Sequence, residues 1–211
     1  MDRITAPTPA GWLDAPAGWT DLDPTSERLR RLVAGLPLGP VRDVLRGAQL
    51  GHPLHPALTQ LPIGCWFSAT ALDLTGGQPV AARRLTALGL LAVPPTLWAG
   101  WVDWADLSAE RRRTGLVHAA SAVTATVLQL GSYRARRRGR TTAGVVLGLA
   151  GCTVLGVAAA LGGHLAHPRS AAATATDPAA TPDEPVPSET PGARMTDEGA
   201  PPPPDESRPS A

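Results

Sequence analysis

The chain has 211 residues, 43% of them hydrophobic, with 23 prolines, 22 glycines and two cysteines. All nineteen basic residues are arginine, and the net charge of +1 conceals an uneven spread: residues 1–170 hold 17 arginines against 10 acids, residues 171–211 two arginines against eight acids. Cys65 and Cys152 each sit in an apolar run, which excludes a disulfide framework and any CxxC or CxxCH motif. There is no P-loop, no GxGxxG and no nucleic-acid module; the arginine clusters flank apolar runs, so no nucleic-acid partner is expected.

Residues 1–22 are rich in Pro, Gly and Trp and read as a loose lead-in, without the apolar h-region of a secretory signal. Residues 23–56 carry two short basic amphipathic helices and a His-Pro-Leu-His-Pro segment. Asp23-Pro24 opens the first helix, with Asp23 at the N-cap; Leu29, Leu32, Val33 and Leu36 share one face and Pro37 stops it. Pro40 opens the second, with Val41, Val44, Leu45 and Ala48 on one face. Basic amphipathic helices ahead of apolar runs suit a membrane surface.

Four apolar segments follow in 57–167, at 57–75, 85–102, 115–133 and 141–163. Each has about the length that crosses a ~30 Å hydrocarbon layer as a helix. The last three are free of charge, the first contains only Asp73, and the breaks carry arginines 83–84, 111–113 and those of 134–140. Helices satisfy their own backbone groups in lipid, so the expected fold is an all-α integral membrane protein, a four-transmembrane-helix bundle preceded by short interfacial helices. Small residues, including Gly144 and Gly148, allow close helix approach. Trp98, Trp101 and Trp104 mark an interface, and Pro62, Pro94 and Pro95 kink the spans they sit in. Six arginines flank the spans on the side of the termini and seven on the other, so the positive-inside rule does not choose an orientation. The missing h-region and the arginines of the N-terminal segment favour termini in the cytoplasm of a multi-pass cell-membrane protein. Residues 168–211 are Ala, Pro, Thr, Asp and Glu with a Pro201–Pro204 run, which reads as a disordered acidic tail.

Alternating spans bring all five histidines to one interface. His52 and His55 precede the first span, His118 lies about one turn into the third, and His164 and His167 end the fourth; Asp103 and Asp106 end the second. A residue before proline is pushed out of the helical region, so His52 and His55 should be extended, with His55 at the N-cap of the first span. A histidine at membrane depth needs a partner and points to function. Imidazoles converging from several helices suit a b-type haem or an Fe, Cu or Zn ion. The cofactor ligands expected are His52, His55, His118 and His164, or for a metal ion His55, His118 and His164 with Asp103 as ligand or orienting acceptor. Two other readings compete. In one, the histidines are structural, bonding carbonyls freed by the prolines and capping helix ends in a scaffold or interaction subunit without a cofactor. In the other, the chain is a small transporter using Asp73, Gln60 and the proline kinks. No Ser or Cys carries a nucleophile motif, so an enzyme is not expected.

The stretch Leu50-Gly-His-Pro-Leu-His-Pro-Ala-Leu-Thr-Gln-Leu-Pro-Ile-Gly64 resembles the opening of a bacterial membrane family, the domain of unknown function 2231. Ala71-Leu-Asp-Leu74, Gly100-Trp-Val-Asp-Trp104, Arg112-Arg-Thr-Gly-Leu-Val-His118 and Leu161-Gly-Gly-His-Leu165 extend the resemblance over about residues 25–167. It implies a four-span membrane domain of the form often found ahead of a Rieske iron–sulfur domain. No Cys-x-His Rieske motif follows His164 here, so a redox role implies a separate redox protein such as a Rieske-type partner, with homo-oligomers compatible.

Overall fold

A computed structural model describes residues 11–166, and among them every regular element is helical. Gly11–Asp14 (α1) and two 3-10 turns, Ala15–Gly18 and Thr20–Leu22, wind the second half of the lead-in; its first ten residues lie outside the described residues. Two short helices follow, Asp23–Ala34 (α2) and Pro40–Leu45 (α3). Four long helices complete the order: Leu54–Thr75 (α4), Pro79–Ala105 (α5), Ala109–Arg137 (α6) and Thr141–Ala166 (α7). At 1.5 Å per residue they are roughly 33 to 43 Å long. The acidic tail and His167 lie outside the described residues.

The local signals explain these limits. Pro79 and Pro40 open α5 and α3, where a missing N–H leaves nothing unpaired. Gly76 (φ 68°) ends α4, and Gly139 (φ 74°) lies just beyond α6. Both take the left-handed conformation that stops a helix at little steric expense. α2 begins one residue earlier than expected, with Leu22 rather than Asp23 at the N-cap. α4 likewise begins at Leu54, so His55 is helical and Pro53 is the N-cap. The steric bias before Pro56 yields because Pro56 falls in the first turn, where no intrahelical donor is required.

α4 and α5 form one antiparallel hairpin and α6 and α7 another. The bundle interior holds Trp66, Ala125, Cys152 and Leu155, and it is also polar: Thr86, Thr96, Gln129, Ser132 and Arg136 are buried. The outward faces are apolar, with Leu61, Phe67 and Leu74 on α4, Leu91 (75% exposed) on α5, Val127 on α6 and Val146 on α7. This is the reverse of a water-soluble helix, whose apolar stripe faces inward. By length and composition, α5 and α7 are each apolar enough to cross a membrane. α4 and α6 carry more polar residues, among them Gln60, Thr70 and Asp73 on α4 and Thr126, Gln129 and Ser132 on α6.

α2 docks across the end of the bundle where α5 finishes and α6 starts. Leu29 and Val33 pack on Trp101, Trp104 and Ala105. Arg113 grips Asp23 through two hydrogen bonds of 2.7 and 2.8 Å, and Arg112 donates to Ser26 Oγ at 3.2 Å. Arg42 of α3 donates to the Val33, Ala34 and Leu36 carbonyls, closing the end of α2.

Candidate functional site

The histidines separate into a central pair and two outliers. His55 on α4 and His118 on α6 meet inside the bundle end, with ring centres 6.2 Å apart and planes perpendicular. His55 Nδ1 lies 3.0 Å from the Thr96 carbonyl of α5, and His118 Nδ1 lies 2.8 Å from the Ala158 carbonyl of α7. A carbonyl only accepts, so Nδ1 carries the proton in both rings, and in the neutral ring Nε2 is a bare acceptor. Among the described residues neither Nε2 has a hydrogen-bond partner, and no fully buried polar side-chain atom is left without one.

Glycines seat both rings. A Cβ at Gly100 would stand 2.8 Å from His55 Cε1, and one at Gly162 would stand 3.0 Å from His118 Cε1. Each glycine lies four residues after the carbonyl that its histidine bonds, which is one helical turn. The bonded carbonyls are not those freed by proline. Pro62 removes the helical donor for Leu58 O, which Thr96 Oγ1 approaches at 3.4 Å instead.

The other expected ligands stand apart from this pair. His52 is exposed, with Nδ1 3.1 Å from the carbonyl of Pro53. His164 Nε2 lies 3.0 Å from Asp14 Oδ1. Two residues past Gly162, it is about 200° around α7 from the face that meets His118. Asp103 is half-buried and among the described residues bonds no histidine, and Asp106 pairs with Arg46 at 2.8 Å. Among the described residues no three His, Cys, Asp or Glu side chains are placed to hold a metal ion together, so the pair His55–His118 is what remains of the expected ligand set.

A second polar centre lies at the opposite end of the bundle. Asp73 on α4 and Arg136 on α6 form a forked pair, Nη1 to Oδ1 at 2.8 Å, with side chains only 6% and 3% exposed. Arg136 Nε also donates to Ser132 Oγ at 3.2 Å, and Ser132 Oγ donates to the Gly144 carbonyl at 2.6 Å. One turn deeper, Gln129 Nε2 donates to the Gly148 carbonyl at 3.1 Å, and Cys152 Sγ lies 3.3 Å from Thr70 Oγ1. Gly144, Gly148 and Gly151 leave the room these side chains fill. Read in sequence, Arg136 belongs to a loop cluster. Its spacing from Gln129 and Ser132 (i, i+3, i+7), opposite glycines at a similar spacing, is the signal that marks it as interior.

Residues 51–174 match the family model described as "Predicted membrane protein (DUF2231)". No curated protein and no solved structure matches. With more than half of its length inside that model, and with the helical bundle that the His-Pro-x-His-Pro opening implies, the chain belongs to the DUF2231 family of predicted membrane proteins.

Proposed function

We propose that this is a four-span membrane protein whose His55–His118 pair holds one metal centre, a haem iron or a copper- or iron-class ion, and that it passes electrons at one face of the cell membrane. Four crossings are supported by the large apolar side chains exposed on all four long helices and by the inward direction of Asp73 on α4 and of Gln129, Ser132 and Arg136 on α6. The side of α6 that meets lipid is then more apolar than its sequence average.

The observation that carries the metal reading is the pair of bare Nε2 acceptors. Each imidazole is fixed through Nδ1–H to a backbone carbonyl, the arrangement that orients metal-bound histidine. Two imidazoles could hold one ion through Nε2 only where their rings stand near each other. The separation here is 6.2 Å. Two ligands are too few for structural zinc, which takes four, and suit an ion whose other positions are filled from outside the protein, as a porphyrin fills four. Electrons would pass to a separate redox protein. The competing reading, a scaffold without cofactor, rests on the same two hydrogen bonds acting only to tie α4 to α5 and α6 to α7.

A visible spectrum and a metal analysis of the full chain in mild detergent decide between them. A Soret band identifies haem; stoichiometric copper or iron without one identifies a bare ion. His118→Ala should abolish the signal and Val127→Ala, on the outer face of α6, should leave it intact. A folded parent protein without colour or metal rejects the metal reading in favour of the scaffold.

A further inference from the structure

The histidine pair has a regularity that neither histidine shows alone. His118 follows His55 by 63 positions (118 − 55), and the same interval relates every buried position of α4 to a buried position of α6: Pro62 to Ala125, Trp66 to Gln129 and Ala69 to Ser132. α5 and α7 are related in the same way at an interval of 62 (151 − 89). Buried Ala82, Thr86, Gly89, Thr96 and Ala99 correspond to buried Gly144, Gly148, Gly151, Ala158 and Leu161.

The bonds repeat with the positions. His55 bonds the Thr96 carbonyl and lies on Gly100; His118 bonds the Ala158 carbonyl and lies on Gly162. Trp66 Nε1 donates to the Thr86 carbonyl and fills the space above Gly89; Gln129 Nε2 donates to the Gly148 carbonyl and fills the space above Gly151. The turns repeat too, since Gly76 and Gly139 are 63 apart and both left-handed. Identity is low outside these points, yet the histidine, both seat glycines and the turn glycine are the same in each half. Helical periodicity alone would reproduce burial but not four matched donor–acceptor and seat pairings in one register.

We infer that α4–α5 and α6–α7 are two copies of one helical hairpin joined in a single chain, and that His55 and His118 are one residue of that hairpin meeting its own counterpart across the bundle, so that the centre they form is a two-fold site with two equivalent imidazole ligands. The same relation explains the opposite end. Asp73 and Arg136 are also counterparts, 63 apart, and also meet each other. Two identical charges could not be buried together there, and complementary ones can. The hairpins run in the same sense, as repeats related by an axis along the bundle do. The ligand half of this inference rests on the metal reading above; the duplication does not.

The test is an exchange of counterparts in the full chain, read in detergent by size-exclusion chromatography and thermal unfolding. Asp73→Arg alone and Arg136→Asp alone each bury like charges, and each should lose the monodisperse folded protein. An arginine on α4 needs the space that Gly144 gives Arg136, and the counterpart of Gly144 is Ala82. The triple variant Asp73→Arg/Arg136→Asp/Ala82→Gly should therefore fold and melt within about 10 °C of the parent. A triple variant no better than the single ones overturns the duplication. The second readout is haem or metal retained by His55→Ala and by His118→Ala. A two-fold site loses it to the same extent in both, whereas loss confined to one variant overturns equivalent ligation. A parent protein that carries neither haem nor metal rejects the proposed function and the ligand half together, and the exchange then decides the duplication by itself.

Discussion

The two ends of the bundle solve one problem in opposite ways. At each end α4 meets α6 across the interior with ionisable side chains. At the Asp73–Arg136 end the charges are complementary, forked together and further bonded to Ser132, so nothing is left to bind. At the His55–His118 end each ring spends its donor on a carbonyl and keeps an acceptor free. A closed pair is suited to holding helices together. A pair with two unspent acceptors is suited to a ligand. The contrast separates a closed polar centre from an open one without reference to which residues are buried.

The contrast breaks most visibly under mutation at the closed end. Asp73→Asn leaves Arg136 charged and buried, and should destabilise the fold by about 3–5 kcal/mol in detergent unfolding titrations. Replacing both, as Asp73→Leu/Arg136→Met, should recover most of that loss, because apolar side chains of similar volume fit the same space. Next in size are the seats. Gly89→Ala drives a Cβ into the Trp66 indole and should lower stability by about 1–3 kcal/mol in the same titration. At the open end His118→Ala removes one hydrogen bond and should lower stability by only about 1 kcal/mol, and on the proposed metal reading it also removes any haem or metal that the parent retains.

The smallest effect concerns α2, which leans on the histidine end. The guanidinium of Arg113, hydrogen-bonded to Asp23, holds that carboxyl below its ordinary value of 3.8. A carboxylate whose folded pKa is depressed adds stability above its unfolded pKa and loses it as pH falls through the folded value. The protection factors of α2 amides, measured against intrinsic exchange at each pH, should therefore be high at pH 6 and fall below pH ~4. Asp23→Asn should remove that acid-sensitive step and leave the rest of the bundle unchanged.

How much of this was legible in the sequence follows from what one-dimensional patterns encode. The four long helices are written as apolar runs between arginines and glycines, and their limits fall within a few residues of the runs. Depth is written as well: His55 and His118 share a level because α4 and α6 run from the same end of the bundle, with His55 in the first turn of α4 and His118 about two and a half turns into α6. Azimuth is not. His164 has the right depth and the wrong face, and His52 precedes the helix that would have aimed it. Arg136 was hidden differently. Among the eight arginines of 111–113 and 134–140 that flank apolar runs, nothing marks Arg136 as buried except its spacing from Gln129 and Ser132. By length and composition α5 and α7 are apolar enough to cross a membrane, whereas α4 carries Asp73 and α6 carries Gln129, Ser132 and Arg136 in the interior.

The docking of α2 also orders events in time. Its partners Arg112 and Arg113 lie 85 to 90 residues further along the chain. At about 5–20 residues per second, α2 is exposed for roughly 5 to 18 s of synthesis before the start of α6 exists to receive it. Until Trp101 and Trp104 of α5 are made, its Leu29 and Val33 face has no protein to cover it, and a membrane surface is the apolar phase at hand. The Arg113–Asp23 pair and the Arg112–Ser26 hydrogen bond thus act as a late latch, drawing α2 onto the bundle only once the first hairpin is in place and the second has begun.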